Sequence, residues 1–465
     1  MIKNDPEKCI DLILRLFEEV EKLREEVKSL KEQISKNSSN SSKPPSSDGL
    51  KKVIHSSRKK TGKKPGGQKG HRGEFLMPVA KPDKTKFHSA GICKCGCTSG
   101  IRNRKIEKRQ VFDIEIKRVV TEHIFETGNC INCGTPLFDN MLHFLTRPAQ
   151  YGEQIKGFSV YFMQYQHIPY DRAAEMLRDL FKMPVSAGNL YNWNKKAYEI
   201  LTPFESWAKA KLLAASVMHA DETGANIAGK LFWYHTHCNA DVDLILLHQN
   251  RGHKAMIDNG ILEIYKGTVV HDFWKAYFYF EFLTALCNAH LLRELKFIFK
   301  ELKQKWADKL IEFLIDAKLK VEKASNSGKN CFSEYQKRKI EIEYENIIRQ
   351  AIRVNPEPER IPGKRGRKKR TISGNLVRRL INYRTEILRF VYDFNVPFDN
   401  NMAERSFRMA KVHLKISGCF RSIEGANIFA RIRSYIQTVK KQKGNVLDEL
   451  SEIFKWKPNL LFLAE

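Results

Sequence analysis

The sequence lacks any apolar run that approaches the roughly 18 residues a membrane-spanning helix needs. Its first residues, Met1 to Asp5, carry charge where a signal peptide has an apolar core. These two absences exclude a membrane protein and a secreted one, so we expect a cytoplasmic location.

Acidic residues are scarce, because 53 Asp and Glu stand against 81 Lys and Arg, which leaves a formal net charge of +28. Such a field attracts polyanions. The basic residues come in runs among Gly and Pro, which predicts nucleic acid as the partner. At 465 residues the chain is too long for one compact core, so we expect at least three domains.

The ten cysteines do not indicate a disulfide framework, since half of them crowd into 41 positions and the others are scattered. The crowded cysteines are Cys93, Cys95, Cys97, Cys130 and Cys133. Four thiolates close a tetrahedral structural zinc site. We favour Cys93, Cys95, Cys130 and Cys133 as the ligands, with Cys97 as the alternative to one of the first pair. The zinc-binding module is placed at residues 87–147.

Apolar residues near the amino terminus recur at alternating steps of three and four. They are Ile13, Leu16, Val20, Leu23, Val27, Leu30 and Ile34. This strict 3.5-residue period predicts a coiled coil over 1–36 and a homo-oligomer, the alternative being an amphipathic helix packed on its own domain. Residues 37–86 are rich in Ser, Gly and Lys and predict a basic flexible linker that neutralises phosphates, or a plain linker.

Residues 148–210 read as helix, turn and helix, with Ser186 as the N-cap of the second helix. In a helix-turn-helix the second helix enters the major groove of DNA. Asn189, Asn192 and Lys195 would then face base edges or phosphates. A purely structural helical hairpin is the alternative.

The pattern after Lys211 predicts three strands, then helix, strand, short helix and strand. The predicted strands are Ala214 to Asp221, Leu231 to His237, Asp243 to Gln249, Gly267 to Asp272 and Leu283 to Cys287. The helix lies at 252–262. This is the element order of an α/β ribonuclease-H-like fold. Its core would occupy 211–295 and 396–465, around a large helical insertion at 296–395.

Three carboxylates fit a two-metal site of that fold. Asp221 and Asp272 end predicted strands, and Glu404 lies on a later helix. Adjacent side chains on a strand point to opposite faces, so only one of Asp221 and Glu222 joins the site. Three such acids bind two Mg²⁺ or Mn²⁺ ions for an in-line displacement at phosphorus. Asn401 shares the helical face of Glu404 and would position its carboxylate or a phosphate.

Basic residues in and after the insertion are candidates for contacts with DNA phosphates, although the run at 364–370 is equally well an exposed loop. They are Lys364, Arg365, Arg367, Lys368, Lys369, Arg370, Arg408 and Arg421, with Arg431 and Arg433 as further candidates.

Several motifs together carry a resemblance to a known family. They are Asn40 to Asp48, Pro65 to His71, two cysteine knuckles (the first Cys93 to Cys97, the second Cys130 to Cys133), Ala220 to Thr223, Cys287-Asn-Ala-His290 and Asp399 to Arg405. Over nearly its whole length the chain resembles the transposases of the bacterial insertion-sequence family sixty-six. The resemblance implies a DDE transposase with a leucine zipper, a zinc module, a helix-turn-helix and a ribonuclease-H-like core. It implies action on terminal inverted repeats, a nucleoid-associated location and accessory proteins of the same element as partners.

Carried over by position, the resemblance implies that Asp221, Asp272 and Glu404 are the metal-binding triad. Cys287 and His290 match a Cys-x-x-His signature of related cores, which we expect to brace the core rather than bind a metal. Phe273 and Trp274 depart from the usual small residue and tyrosine, and the first cysteine knuckle is irregular. The alternatives are a non-catalytic zinc and helix-turn-helix DNA-binding protein derived from a transposase, and a nuclease without joining activity.

Overall fold

A computed structural model of the protein describes residues 6–37, 40, 76–88, 94–95, 106–139, 141–358 and 370–462. The described chain is mixed α/β, with a helical majority around one central sheet. No helix in these segments is both long and apolar enough to cross a membrane.

A single helix, α1 (Pro6–Ile34), forms the amino-terminal region. All seven residues of the predicted coiled-coil seam are exposed on it, between 43% for Val20 and 83% for Ile34. Val20, Leu23 and Val27 also line a cavity together with Glu301 and Leu302, so packing of α1 on its own chain stays the alternative. Self-association through α1 stays a prediction.

The cysteine-rich region contains a small antiparallel ladder of β1 (Gly128–Asn129) and β2 (Pro136–Leu137). Residues 106–127 contain no strand, although apolar and polar residues alternate at 112–116 as is typical of one. Their apolar side chains, such as Val111 and Ile114, are exposed, so the stretch has no second strand or core to pack on. Gln110 forms two side-chain hydrogen bonds with the backbone of Val79, and Glu115 forms an ion pair of 3.1 Å with Lys84.

A cluster of helices precedes the central sheet. It consists of α2 (Met141–Phe144), α3 (Glu153–Val160), a π-helical turn (Tyr161–Tyr165), α4 (Tyr170–Phe181), α5 (Ala187–Ile200) and α6 (Thr202–Ala214). Helix α4 ends at Lys182, whose φ of 54° breaks the helical path. Helix α5 begins where predicted, since the Ser186 hydroxyl accepts a hydrogen bond from the Asn189 backbone N–H.

Five strands form the central sheet. They are β3 (Val217–Ile227), β4 (Lys230–Cys238), β5 (Asp243–His248), β6 (Thr268–His271) and β7 (Leu283–Leu286). Their order is β5-β4-β3-β6-β7, with β3, β4 and β5 antiparallel and β6 and β7 parallel to β3. The predicted element order is therefore observed. The β3–β4 turn lies one residue earlier than predicted, at Ala228 and Gly229, which both have positive φ as a tight hairpin requires.

Helices complete the fold around and after the sheet. They are α7 (His253–Asp258), a 3₁₀ turn (Lys275–Tyr279), α8 (Asn288–Lys300), α9 (Lys305–Asn326), α10 (Glu334–Val354), α11 (Ile372–Asn382), α12 (Arg384–Ile387), α13 (Arg389–Tyr392), α14 (Asn401–Ser417), α15 (Ile423–Lys441) and α16 (Val446–Glu452). Helix α7 is shorter than the predicted 252–262, because the chain turns at Gly260, where φ is 62°.

The helices from α8 to α13 share an apolar core of their own, in which Trp306, Leu310, Tyr344 and Leu376 are buried. The predicted helical insertion is thus a packed unit in the described chain, although its exact boundaries stay a prediction. After it, α14 packs on β3 and β4, and α15 packs on β5. The two chain segments predicted for the core therefore meet at one sheet.

A buried ion pair fastens the last helices to the sheet. Asp243 of β5 is 1% exposed, and its Oδ2 lies 3.2 Å from Nζ of Lys441 on α15. The Ser406 hydroxyl on α14 donates to the same carboxylate. Because an unpaired buried carboxylate is costly, this cluster favours one fixed placement of α14 and α15 on β5.

Buried neutral histidines make the fold sensitive to acid. Burial, with the nearby Arg433 and His413, lowers the pKa of His167 to about 4, and the ordinary value is about 6.5. Between pH 4 and pH 6.5 the unfolded chain binds a proton at His167 more readily than the folded chain does. The free energy of unfolding is therefore highest above pH 6.5 and falls as the pH is lowered. We expect it to be lower by roughly 1–2 kcal/mol at about pH 5.

The prediction is tested with His167→Asn, because asparagine tolerates the φ of 59° at this position. Urea unfolding of both proteins at about pH 7.5 and about pH 5 should show a smaller acid-dependent loss of unfolding free energy in the variant. An equal loss in both proteins would contradict the assignment.

Candidate active site

Asp221 lies within β3 and not at its end, so the predicted end of the strand was wrong. The hairpin with β4 extends β3 to Ile227, whereas the parallel pairing with β6 stops at His219. Asp221 therefore sits where β3 parts from β6, and this opening leaves room for a carboxylate. Its Oδ1 accepts a hydrogen bond of 2.9 Å from the Glu222 backbone N–H.

Asp272 follows directly after β6, as predicted. Its Oδ1 accepts a 2.8 Å hydrogen bond from the backbone N–H of Trp274, which fixes the carboxylate at the strand end. Since β6 adjoins β3, Asp272 comes close to Asp221. Burial and then the charge of Asp272 raise the pKa of Asp221 to about 7, with a smaller contribution from Glu404. Asp272 and Glu404 are thus near enough to Asp221 for their charges to raise its pKa, whereas the described group whose ligand atoms all lie within 4.8 Å of one another is Cys287, His290 and Glu404.

Glu404 lies in the first turn of α14, which packs on β3. Its Oε1 lies 3.8 Å from Nε2 of His290, and its Oε2 lies 3.9 Å from an Arg293 guanidinium nitrogen. Oε1 is buried and has no hydrogen-bond partner among the described residues. An oxygen buried in this way is suited to accept a cation or a donor that the apo chain does not supply.

Asn400, the residue before α14, joins three elements of the site. Its side chain accepts a 2.8 Å hydrogen bond from His219 Nδ1 and donates one of 2.8 Å to the Ala220 carbonyl. Its backbone N–H donates to Cys287 Sγ at 3.2 Å. The sequence pattern selected Asn401 instead, whose backbone N–H donates a 3.0 Å hydrogen bond to Oδ1 of Asp399. Nothing in the helical pattern distinguishes the two, because the partners of Asn400 lie more than 110 residues away.

Glu222 has different partners, as strand alternation predicts. Its carboxylate accepts a hydrogen bond from the Tyr277 hydroxyl and lies 3.5 Å from Arg251. Arg251 in turn lies between the rings of Trp233 and Trp274, at 5.0 and 4.1 Å from their centroids. Burial raises the pKa of Glu222 to about 8. Glu222 is therefore held in a closed group of side chains beside the three acids.

The predicted DNA-contact residues of α5 differ in their accessibility. Asn192 and Lys195 are exposed, and Asn189 is partly buried. Nζ of Lys195 lies 2.7 Å from Glu424 at the start of α15, and the Tyr191 hydroxyl donates to the same carboxylate at 2.5 Å. Lys195 is thus already paired in the absence of DNA.

The other basic residues predicted to contact DNA also differ in their exposure and pairing. Arg408 and Arg421 are exposed, whereas Arg370 forms an ion pair of 2.8 Å with Glu357. The rest of that basic run lies outside the described residues: Lys364, Arg365, Arg367, Lys368 and Lys369.

Arg431 and Arg433 were predicted to contact phosphates, and this was wrong, because both are buried at 7% and 2% exposure. Arg431 forms an ion pair of 2.7 Å with Glu205 and lies on the ring of Tyr198. Both arginines hold α15 against the helices that precede the sheet. A helix buried all round cannot offer these side chains to a duplex.

The second cysteine knuckle has the shape of a tight turn. The backbone N–H of Gly134, at φ 71°, donates to the Cys130 carbonyl, and the Cys130 N–H donates to the Thr135 carbonyl. Hydrogen bonds from Thr135 and Cys130 lower the pKa of Cys133, which favours a thiolate. Cys93 and Cys97 lie outside the described residues, so the complete zinc site stays a prediction.

Comparison with known families identifies the class of the protein. The model of the family described as "Transposase IS66 family" matches residues 149–428, more than half of the chain. A family of unknown function, DUF6444, matches residues 6–76. No curated protein matches the chain. The chain belongs to the IS66 transposase family, and the resemblance inferred from its motifs is confirmed. Its family is one of DNA-processing enzymes.

The hydrogen bonds of Asn400 predict a large effect of its removal. Asn400→Ala leaves the His219 ring N–H and the Ala220 carbonyl unpaired in a buried place, which we expect to cost ~2 kcal/mol of unfolding free energy. Urea unfolding measures this cost. The matched control is Asn401→Ala, which should lose clearly less, and an equal loss in the two variants would contradict the role given to Asn400.

Proposed function

We propose that the protein is a DDE transposase, which binds the terminal inverted repeats of an insertion sequence and carries out metal-dependent strand cleavage and strand transfer. The observation that supports this proposal is the placement of the acids: Asp272 directly follows the strand beside the one that carries Asp221, and Glu404 lies on a helix packed on that same strand. The three acids come from two adjacent strands and a helix packed on them, although 183 positions separate the first from the last.

The strand order supports a ribonuclease-H-like core within this proposal. Three antiparallel strands continue into two strands parallel to the first, in the order β5-β4-β3-β6-β7. The helical insertion separates β7 from the catalytic helix α14. Because one fold hosts many functions, the acids and not the sheet carry the assignment of activity.

The residues present fit a pair of hard divalent cations. All three side chains offer carboxylate oxygens, the ligands that Mg²⁺ and Mn²⁺ prefer. Burial and then the charge of Asp272 raise the pKa of Asp221, and a bound cation would stabilise its charged form against both effects. Asp221, Asp272 and Glu404 would hold the two ions, which activate water or a 3′-hydroxyl and stabilise the leaving oxygen when bound.

The chain's own residues set the geometry of this chemistry. Hydrogen bonds from the backbone orient Asp221 and Asp272, and Asn400 fixes the start of the helix that carries Glu404. Reacting groups held in place in this way need less reorganisation during the displacement. Arg408 and Arg421 remain exposed on the same carboxyl-terminal part of the chain and are available to phosphates.

Recognition of DNA is assigned to α5 in this proposal. The exposed Asn192 supplies a contact to a base edge or a phosphate, and Lys195 joins it once the ion pair with Glu424 opens. A structural zinc held by Cys130, Cys133 and two of the earlier cysteines, together with a dimer formed through α1, completes the proposed assembly. Accessory proteins of the same element are proposed partners, and the nucleoid is the proposed location.

The test uses purified protein, labelled DNA carrying the element's end, and Mg²⁺ or Mn²⁺. Asp221→Asn, Asp272→Asn and Glu404→Gln should each lower cleavage and joining at least about a hundredfold, because each removes a charged ligand. All three should still bind the DNA. The matched control is Asp241→Asn, an exposed acid in the turn between β4 and β5, which should keep full activity.

Two outcomes would overturn parts of the proposal. Cleavage without joining to a target would favour the nuclease alternative. Binding without metal-dependent chemistry, also after the element's other proteins are added, would favour a non-catalytic DNA-binding protein.

A further inference from the structure

Three side chains of different chemistry converge beside the acidic site. Cys287 is the N-cap of α8 directly after β7, His290 lies one turn into that helix, and Glu404 approaches from α14. One ligand atom from each lies within 4.8 Å of the other two. A thiol, an imidazole and a carboxylate at such distances are the donor set of a three-ligand zinc site with one open position.

The hydrogen bonds of the cluster favour a metal-binding arrangement. Nδ1 of His290 lies 3.3 Å from Cys287 Sγ, and Nε2 of the same ring lies 3.8 Å from Oε1 of Glu404. Cys287 Sγ also accepts the backbone N–H of Asn400, a contact that stabilises a thiolate. Oε1 of Glu404 is buried without a hydrogen-bond partner among the described residues. The Glu404 oxygen therefore lacks a hydrogen-bond partner and lies beside two other side chains that can bind a metal, Cys287 and His290.

We propose that Cys287, His290 and Glu404 bind a thiophilic transition-metal ion of the Zn²⁺ class, and that this ion inhibits the enzyme by drawing Glu404 away from Asp221 and Asp272. The first part concerns binding alone. The inhibitory part rests on the proposed function, because it requires Glu404 to serve the Mg²⁺ or Mn²⁺ pair. This proposal differs from the sequence-based expectation that Cys287 and His290 brace the core rather than bind a metal.

The chemistry of the donors separates the two metal classes. Mg²⁺ takes oxygen ligands and has little affinity for sulfur, so it does not compete for Cys287. Cys287 and His290 offer a sulfur and a nitrogen ligand, which ions of the Zn²⁺ class prefer. A thiophilic ion forms its bond to sulfur as the S–H bond breaks, and the proton passes to solvent.

Binding is tested by measuring the zinc bound per chain at equal free Zn²⁺ by equilibrium dialysis of the full-length protein. Cys287→Ser and His290→Gln should each bind one ion fewer than the parent. The matched control is Cys238→Ser, which alters another fully buried thiol outside the cluster and should bind the same amount as the parent. Circular dichroism establishes that the variants are folded. Equal zinc in all four proteins would overturn the proposal.

Inhibition is tested by adding Zn²⁺ to the Mg²⁺-supported cleavage reaction. Half-inhibition of Cys287→Ser should need at least about tenfold more Zn²⁺ than half-inhibition of Cys238→Ser. Equal sensitivity, with one ion lost from Cys287→Ser, would retain the binding site and overturn the inhibitory role. If no metal supports cleavage, the proposed function fails while the zinc measurement still decides the site.

Discussion

The arrangement of the candidate site depends on the hydrogen bonds of one buried side chain, Asn400. Its amide bridges His219 and Ala220 in β3, while its backbone N–H reaches Cys287 at the start of α8. Each of these contacts is made away from water, where an unpaired amide is costly. Glu404 is one turn further along the helix that Asn400 begins, so its position relative to Asp221 is set by the same contacts.

Packing between distant chain segments brings Asn400 to its hydrogen-bond partners. The helices from α8 to α13 bury an apolar core that also includes Leu286 of β7, and α12 and α13 pack on that strand. Beyond these helices, the buried Asp243 accepts from Ser406 on α14 and pairs with Lys441 on α15. The two helices are thereby fixed on the antiparallel half of the sheet. Asp221 lies in β3, Asp272 directly follows β6, and Glu404 lies on α14, which packs on β3.

The order of elements was predictable from the sequence because apolar alternation and turn residues are local signals. Asp272 at a strand end and Ser186 as an N-cap follow from such signals, and the structure has both. The placement of Asp221 inside a longer strand was not predictable, since the hairpin with β4 extends β3 past its apolar run.

Burial of charged side chains was the other failure of local reasoning. Arg431 and Arg433 read as solvent-exposed charges, yet tertiary packing of α15 covers both and supplies Glu205 as the partner of the first. Asn400 was missed for the same reason, because its partners come from distant segments. The resemblance to a family supplied the identity of the acids, which periodicity alone left open between Asp221 and Glu222.

The central claim is that Asp221, Asp272 and Glu404 together hold a divalent metal pair. The most direct measurement is a crystal structure of the protein with Mn²⁺, in which anomalous scattering locates the ions. The account predicts anomalous peaks in contact with all three carboxylates, and their loss in crystals of Asp221→Asn. Manganese bound elsewhere, with these three carboxylates free of any ion, would contradict it.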